Sequence, residues 1–80
     1  MVGVVDDFFS HVNVIAFTLR QALAVGDRIH VRGHTTDLLQ NVESMQLEHK
    51  SIDHGVPRDA VGIQVHAKCR TGDYVYRLSA

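Results

Sequence analysis

Val25-Gly26-Asp27-Arg28-Ile29-His30-Val31-Arg32-Gly33 is the stretch that decides the fold. It opens on Gly26-Asp27, a pair suited to a tight turn in which a Cβ at the glycine would clash. Ile29 and Val31 then alternate with Arg28, His30 and Arg32. A period of two puts the apolar side chains on one face of a strand and the polar ones on the other. Gly33 ends the run and begins a second turn, Gly33-His34-Thr35-Thr36-Asp37. The same rhythm recurs outward from this stretch. Val61, Ile63 and Val65 alternate with Gly62, Gln64 and His66. Val75 sits between Tyr74 and Tyr76. Val12, Val14 and Ala16 alternate with Asn13, Ile15 and Phe17. No stretch of ten or more residues carries an amphipathic helical period.

The pattern predicts six strands, near residues 2–9, 12–19, 27–33, 38–49, 59–66 and 73–79. Turn signals fall at Ser10-His11, Val25-Gly26-Asp27, Gly55-Val56-Pro57 and Thr71-Gly72-Asp73. Residues 38–49 are long for one strand. A bend or bulge near Glu43-Ser44 would bring Val42, Met45 and Leu47 onto one face. Arg20 to Val25 reads as one helical turn or a plain loop, with Leu19, Leu23 and Val25 turned inward. Many short strands with glycine-centred turns suggest a closed barrel or a sandwich. Closure is expected, because a small open sheet exposes its edges.

The chain has 80 residues, 45% of them hydrophobic and 21% charged. That composition is globular, and the length suits one domain over residues 1–80. Eight Lys or Arg against nine Asp or Glu give a formal net charge of −1. This excludes a strongly basic nucleic-acid coat and an acidic solvating tail. No apolar run is long enough to span a bilayer, so no membrane partner is expected. The start, Met1-Val2-Gly3-Val4-Val5-Asp6-Asp7, lacks the basic opening of a secretory signal. The single cysteine, Cys69, cannot form an internal disulfide, and a cytoplasmic location is expected.

Four segments in order carry a resemblance. They are Leu23-Ala24-Val25-Gly26-Asp27-Arg28-Ile29, Val42-Glu43-Ser44-Met45, Val61-Gly62-Ile63-Gln64-Val65 and Gly72-Asp73-Tyr74-Val75. Together they resemble the second, β-barrel domain of translational GTPases such as elongation factor Tu and initiation factor 2. They are most similar to stand-alone translation elongation factor-like proteins of about this length. The resemblance implies an all-β, six-stranded closed barrel. It also implies a non-catalytic binding module associated with translation, through ribosomal or transfer RNA or a translation-associated protein. The chain departs from that pattern in two respects. The family commonly has Pro-Gly-Asp where this chain has Pro57-Arg58-Asp59, so a positive φ there would strain Arg58 or reshape the loop. Gln46, Leu47 and Ala60 replace the family's His, Arg and Asn donors to the amino ester of aminoacyl-transfer RNA, so the usual mode of binding it is not expected. No glycine-rich phosphate loop ending in Gly-Lys-Ser/Thr exists, which argues against GTP binding.

Phosphate contacts need clustered Lys or Arg. Arg28 and Arg32 share one strand face with His30 between them. Arg58 occupies the 53–59 loop, and Lys68 and Arg70 flank Cys69. These five are the candidate RNA-binding residues, presented by a rigid scaffold beside loops 10–11, 33–37 and 53–59. Exposed rings for base stacking would come from one of Phe8 and Phe9 and one of Tyr74 and Tyr76, with Phe17 and the others packed inside.

Six histidines, at positions 11, 30, 34, 49, 54 and 66, make the charge sensitive to pH. His66 and Cys69 have a ligand-like spacing, but structural zinc needs four ligands and no second pair matches. No metal and no cofactor are expected. Cys69 and Ser44 are the candidate nucleophiles. Lys68 and Arg70 beside Cys69 would lower its pKa, yet no His-Asp arrangement or nucleophile elbow frames either residue, so no enzymatic activity is expected. A second reading is a protein-interaction barrel that partners a larger enzyme, for example a collagenase-like peptidase family member linked to RNA modification. Exposed Phe8 or Tyr76 beside an uncovered strand would favour that reading. A contiguous basic surface with little apolar exposure would favour RNA.

Overall fold

The computed structural model describes residues 1–78 and is all-β, with no helix among them. The last residue of the strand expected over 73–79 lies outside the described residues. The strands are β1 Gly3–Val4, β2 Asp7–Phe9, β3 Val14–Thr18, β4 Leu23–Ala24, β5 Arg28–Arg32, β6 Asp37–Asn41, β7 Met45–Leu47, β8 Lys50–Ile52, β9 His54–Gly55, β10 Ala60–Gln64 and β11 Tyr74–Arg77. All pairings are antiparallel. The first sheet runs β1-β11-β5-β6, the second β2-β3-β10-β7-β8, and a small third pairs β4 with β9.

Six expected strands thus become eleven, for reasons of local chemistry. The first expected strand bends at Val5 and Asp6. The Val5 amide bonds to the Asp73 carbonyl of the first sheet, while the next amide, Asp6, bonds to the Ala16 carbonyl of the second. The 38–49 strand breaks between Asn41 and Met45, where the bend near Glu43-Ser44 was expected, and β6 and β7 join different sheets. A tight turn with positive φ at Glu48 and His49 then starts β8. The ladders therefore form three open sheets instead of one closed sheet. Arg20 to Val25 makes no helical turn. Leu19 and Leu23 point inward as expected, but Val25 is exposed, because it rides the outside of the turn into β5.

One core lies between the two main sheets. The inward positions of the alternating strands fill it: Ile15 and Phe17, Ile29 and Val31, Val61 and Ile63, with Val75 opposite. Each such side chain removed from water contributes about 1.5–3 kcal/mol. Buried Gln40 spans the gap between the sheets. Its amide nitrogen donates to the Gln64 carbonyl at 3.1 Å, and its oxygen accepts the His66 amide at 2.8 Å. One side-chain amide there does what a strand neighbour would do with its backbone.

The same turn is built three times, at 24–27, 56–59 and 70–73. In each, the Asp at the fourth position donates its amide to the first carbonyl, at 3.0–3.1 Å. Its carboxylate accepts the first residue's amide, at 2.9 Å for Asp27, 3.0 Å for Asp59 and 2.8 Å for Asp73. The third position has positive φ: 99° at Gly26, 81° at Arg58 and 92° at Gly72. Glycine takes that conformation without penalty. Arg58 does not, so the departure seen in the sequence appears as strain within an unchanged turn.

Candidate functional site: the outer face of the first sheet

The register of the first sheet lines up three columns of outward side chains. Tyr74 and Tyr76 on β11 stand beside Arg32 and His30 on β5, which stand beside Asp37 and Leu39 on β6. Arg28 and Asn41 complete the β5 and β6 columns. Leu78 extends the β11 column through its amide bond to the Arg28 carbonyl. The face is part cationic and part apolar. Leu39 is 49% exposed, Tyr74 47%, Leu78 38% and Tyr76 36%. Both tyrosines face outward, where one had been expected inside. Positions 74 and 76 share a face because Val75 between them takes the core position, a consequence readable from the alternation itself. Their rings lie 6.4 Å apart, tilted by 43°.

His30 Nε2 lies 2.5 Å from Asp37 Oδ1. This hydrogen bond, with the charge of a protonated His30 and of Arg32, holds the Asp37 carboxyl below its ordinary pKa. Arg28 contacts the Asn41 side-chain oxygen at 3.3 Å. Among the described residues neither Arg28 nor Arg32 has a carboxylate within ion-pair distance.

The other expected contacts do not join this face into one basic patch. Arg58 precedes β10 and Lys68 and Arg70 follow it, so the strand's length, about 16 Å, separates them. Arg70 is nearer Arg32, linked through Asp73, which accepts the Arg70 amide and packs against Gly33. Cys69 departs from the expected lowering of its pKa by Lys68 and Arg70. Its side chain is buried, and burial, with Asp73 adding to it, pushes its pKa up to about 11. Lys68 and Arg70 point outward on either side of it. His66 turns away from Cys69 to pair with Glu43. Among the described residues no group of three or more His, Cys, Asp and Glu is placed to hold a metal ion.

A second feature lies on the outer face of the second sheet. It is a shallow cleft of about 660 Å³ floored by Val14, Ala16 and Gly62 and rimmed by Phe9, His11 and His49. A Cβ on Gly62 would come within 3.2 Å of Val14, so glycine there keeps the floor flat. Of the adjacent phenylalanines, Phe8 packs against the core and Phe9 is exposed.

No family model matches the sequence. The chain is 35% identical over 78 residues to an uncharacterized protease, MJ0090, of Methanocaldococcus jannaschii. The match takes in 96% of this chain and 19% of that protein, so the chain spans about a fifth of the curated relative's length. The fold is similar to the crystal structure of the C-terminal domain of a Geobacillus thermoleovorans protein described as a U32 peptidase. The TM-score is 0.91 at 16% identity, over 99% of this chain and 92% of that one. The selenomethionine variant of the same domain gives 0.86 at 17% identity, over 92% and 94%. These findings overturn the resemblance to translation elongation factors, and with it the expected ribosomal RNA, transfer RNA and translation-associated partners. The physical reason lies in the segments that carry the resemblance. Val-Gly-Asp and Gly-Asp are turn chemistry, used twice here and a third time with arginine, and they report how a small β-fold turns corners. The chain's likeness is to a protease of the archaeon and, in fold, to a peptidase C-terminal domain.

Proposed function

We propose that this chain is a non-catalytic interaction module that works beside a U32-type peptidase, in a reducing cytoplasm. One observation carries the reading: a protease matches nearly all of this chain with only 19% of its own length. The surface agrees with it. Tyr76 is exposed, and leucines and tyrosines interrupt the arginines, which is the composition of a protein-binding face more than of a phosphate-tracking one. The absence of catalysis is supported by the buried thiol of Cys69, with its raised pKa, and by the lack, among the described residues, of a base hydrogen-bonded to Ser44. We further read the two sheets as one closed, barrel-like shell, supported by the chain's continuity through 3–9 and 37–47 and by the Gln40 bridge. Such a shell would hold the docking face rigid.

The test is to mix the purified chain with a U32-type peptidase of the same organism and measure the complex by gel filtration with light scattering. A stoichiometric complex that survives ribonuclease is expected. Absence of a complex, or peptide hydrolysis by the chain alone, would overturn the reading.

A further inference from the structure

We infer that the outer face of the first sheet docks an extended acidic segment of a partner protein, of the form acidic–any–apolar–any–acidic. The inference rests on the interaction-module reading and names the surface and the chemistry of its occupant. Arg28 and Arg32 lie four residues apart on one strand, so their Cα atoms are about 13 Å apart. An extended segment laid along β5 repeats the same distance between its own first and fifth residues. Its two acidic side chains then meet Arg28 and Arg32, neither of which makes an ion pair among the described residues, although Asp37 stands opposite Arg32 in the register. Its third residue faces the middle of the row, over His30, between Tyr76 and Leu39. Tyrosine and arginine are the side chains that dominate interface energetics when a partner excludes water.

The other occupants fit less well. A second copy of this chain on a twofold axis would bring arginine toward arginine. A nucleic-acid backbone, charged at every step, would have to lay phosphate over the apolar middle of the row, Tyr76 and Leu39, as well as over the two arginines. The Cα footprint, about 10 by 13 Å, is also small for a domain-sized interface of about 800 Å² per partner, and suits a single extended segment.

The test titrates the full chain with a fluorescent Gly-Glu-Ala-Leu-Ala-Glu-Gly peptide. Anisotropy and amide NMR shifts are read at low and moderate salt. Saturable binding is expected, weakened by salt, with shifts confined to β5, β6 and β11. Arg28→Glu with Arg32→Glu should weaken it about tenfold or more, and Tyr76→Ala should also weaken it. Lys50→Glu, on β8, should not change it. Equal binding of a peptide with lysine at both acidic positions would overturn the inference, as would no binding at low salt. Tighter binding of a single-stranded oligonucleotide at the same residues would overturn it in favour of nucleic acid. Self-association lost on Arg28→Glu would overturn it in favour of a second copy. The peptidase is absent from this assay. A peptide failure beside an intact peptidase complex therefore sinks the assigned surface, and loss of the peptidase complex sinks the module reading.

Discussion

Arg58 shows how much one residue can depart from its setting without changing it. Its turn keeps both hydrogen bonds of the two glycine-bearing copies, and its amide still bonds to the Leu19 carbonyl at 2.8 Å. What remains is the penalty of a side chain at φ 81°. Left-handed backbone costs a non-glycine residue about 1–2 kcal/mol, partly offset by the greater chain freedom glycine has when unfolded. Arg58→Gly is therefore expected to stabilise the protein by about 0.5–1 kcal/mol and to raise Tm by about 3–6 °C, measured by calorimetry. An unchanged or lower Tm would mean that the arginine side chain contributes packing of its own. Cys69 is a second case. Its thiol titrates near 9 when free and near 11 in the folded chain. A raised thiol pKa means that the folded state holds the proton longer. Its contribution is fully present below pH 9 and is lost as pH rises through about 11. Chemical denaturation across that window should show stability falling with pH, and Cys69→Val should flatten the slope. Thiol reagents at pH 8 should label the native protein slowly.

At the scale of the strand, the alternation in the sequence located the strands and the chain reversals well. Arg28 to Arg32 and Ala60 to Gln64 have the inward and outward faces that their side chains predicted. What the alternation could not convey was which sheet each strand joins. Residues 2–9 read as one strand because every local signal in them is a strand signal. Their division between two sheets depends on partners 70 or more positions away on one side and five to nine on the other. The candidate site was legible to the same extent. Arg28 and Arg32 were placed correctly on one face, but Tyr74, Tyr76 and Leu39 joined them only through the register of three strands. No local signal marks Gln40, because nothing nearby in sequence identifies a glutamine as a bridge between sheets. Gln40→Leu would keep the volume and strand the Gln64 carbonyl and the His66 amide. A loss of about 2 kcal/mol, or about 10 °C in Tm, is expected by thermal melting. Faster hydrogen exchange at the His66 amide would locate the loss.

At the scale of the molecule, a net charge near zero hides a local arrangement. Three of the six histidines pair with carboxylates, His30 with Asp37, His54 with Asp53 and His66 with Glu43. The carboxyls of Asp37 and Asp53 are held below their ordinary values by these partners. A depressed carboxyl contributes stability that is present above its unfolded pKa, near 3.8, and is lost as pH falls through the folded value. Both carboxylates are fully exposed, so the effect is small and screened by salt. Asp37→Asn with Asp53→Asn should leave Tm at pH 7 almost unchanged while shifting the acid-unfolding midpoint measurably at low salt.

The pairing of β1 with β11 has a consequence in time. The second residue pair of that ladder joins Val4 to Tyr74, 70 positions apart, so β1 waits for β11. During synthesis β1 stays without its ladder partner until β11 has been made. Neither half can then serve as a stable intermediate. Folding should be a single slow event, in the millisecond-to-second range set by distant pairings, with one exponential phase in stopped-flow refolding. Truncation before Tyr74 should leave the remainder unfolded and open to proteolysis.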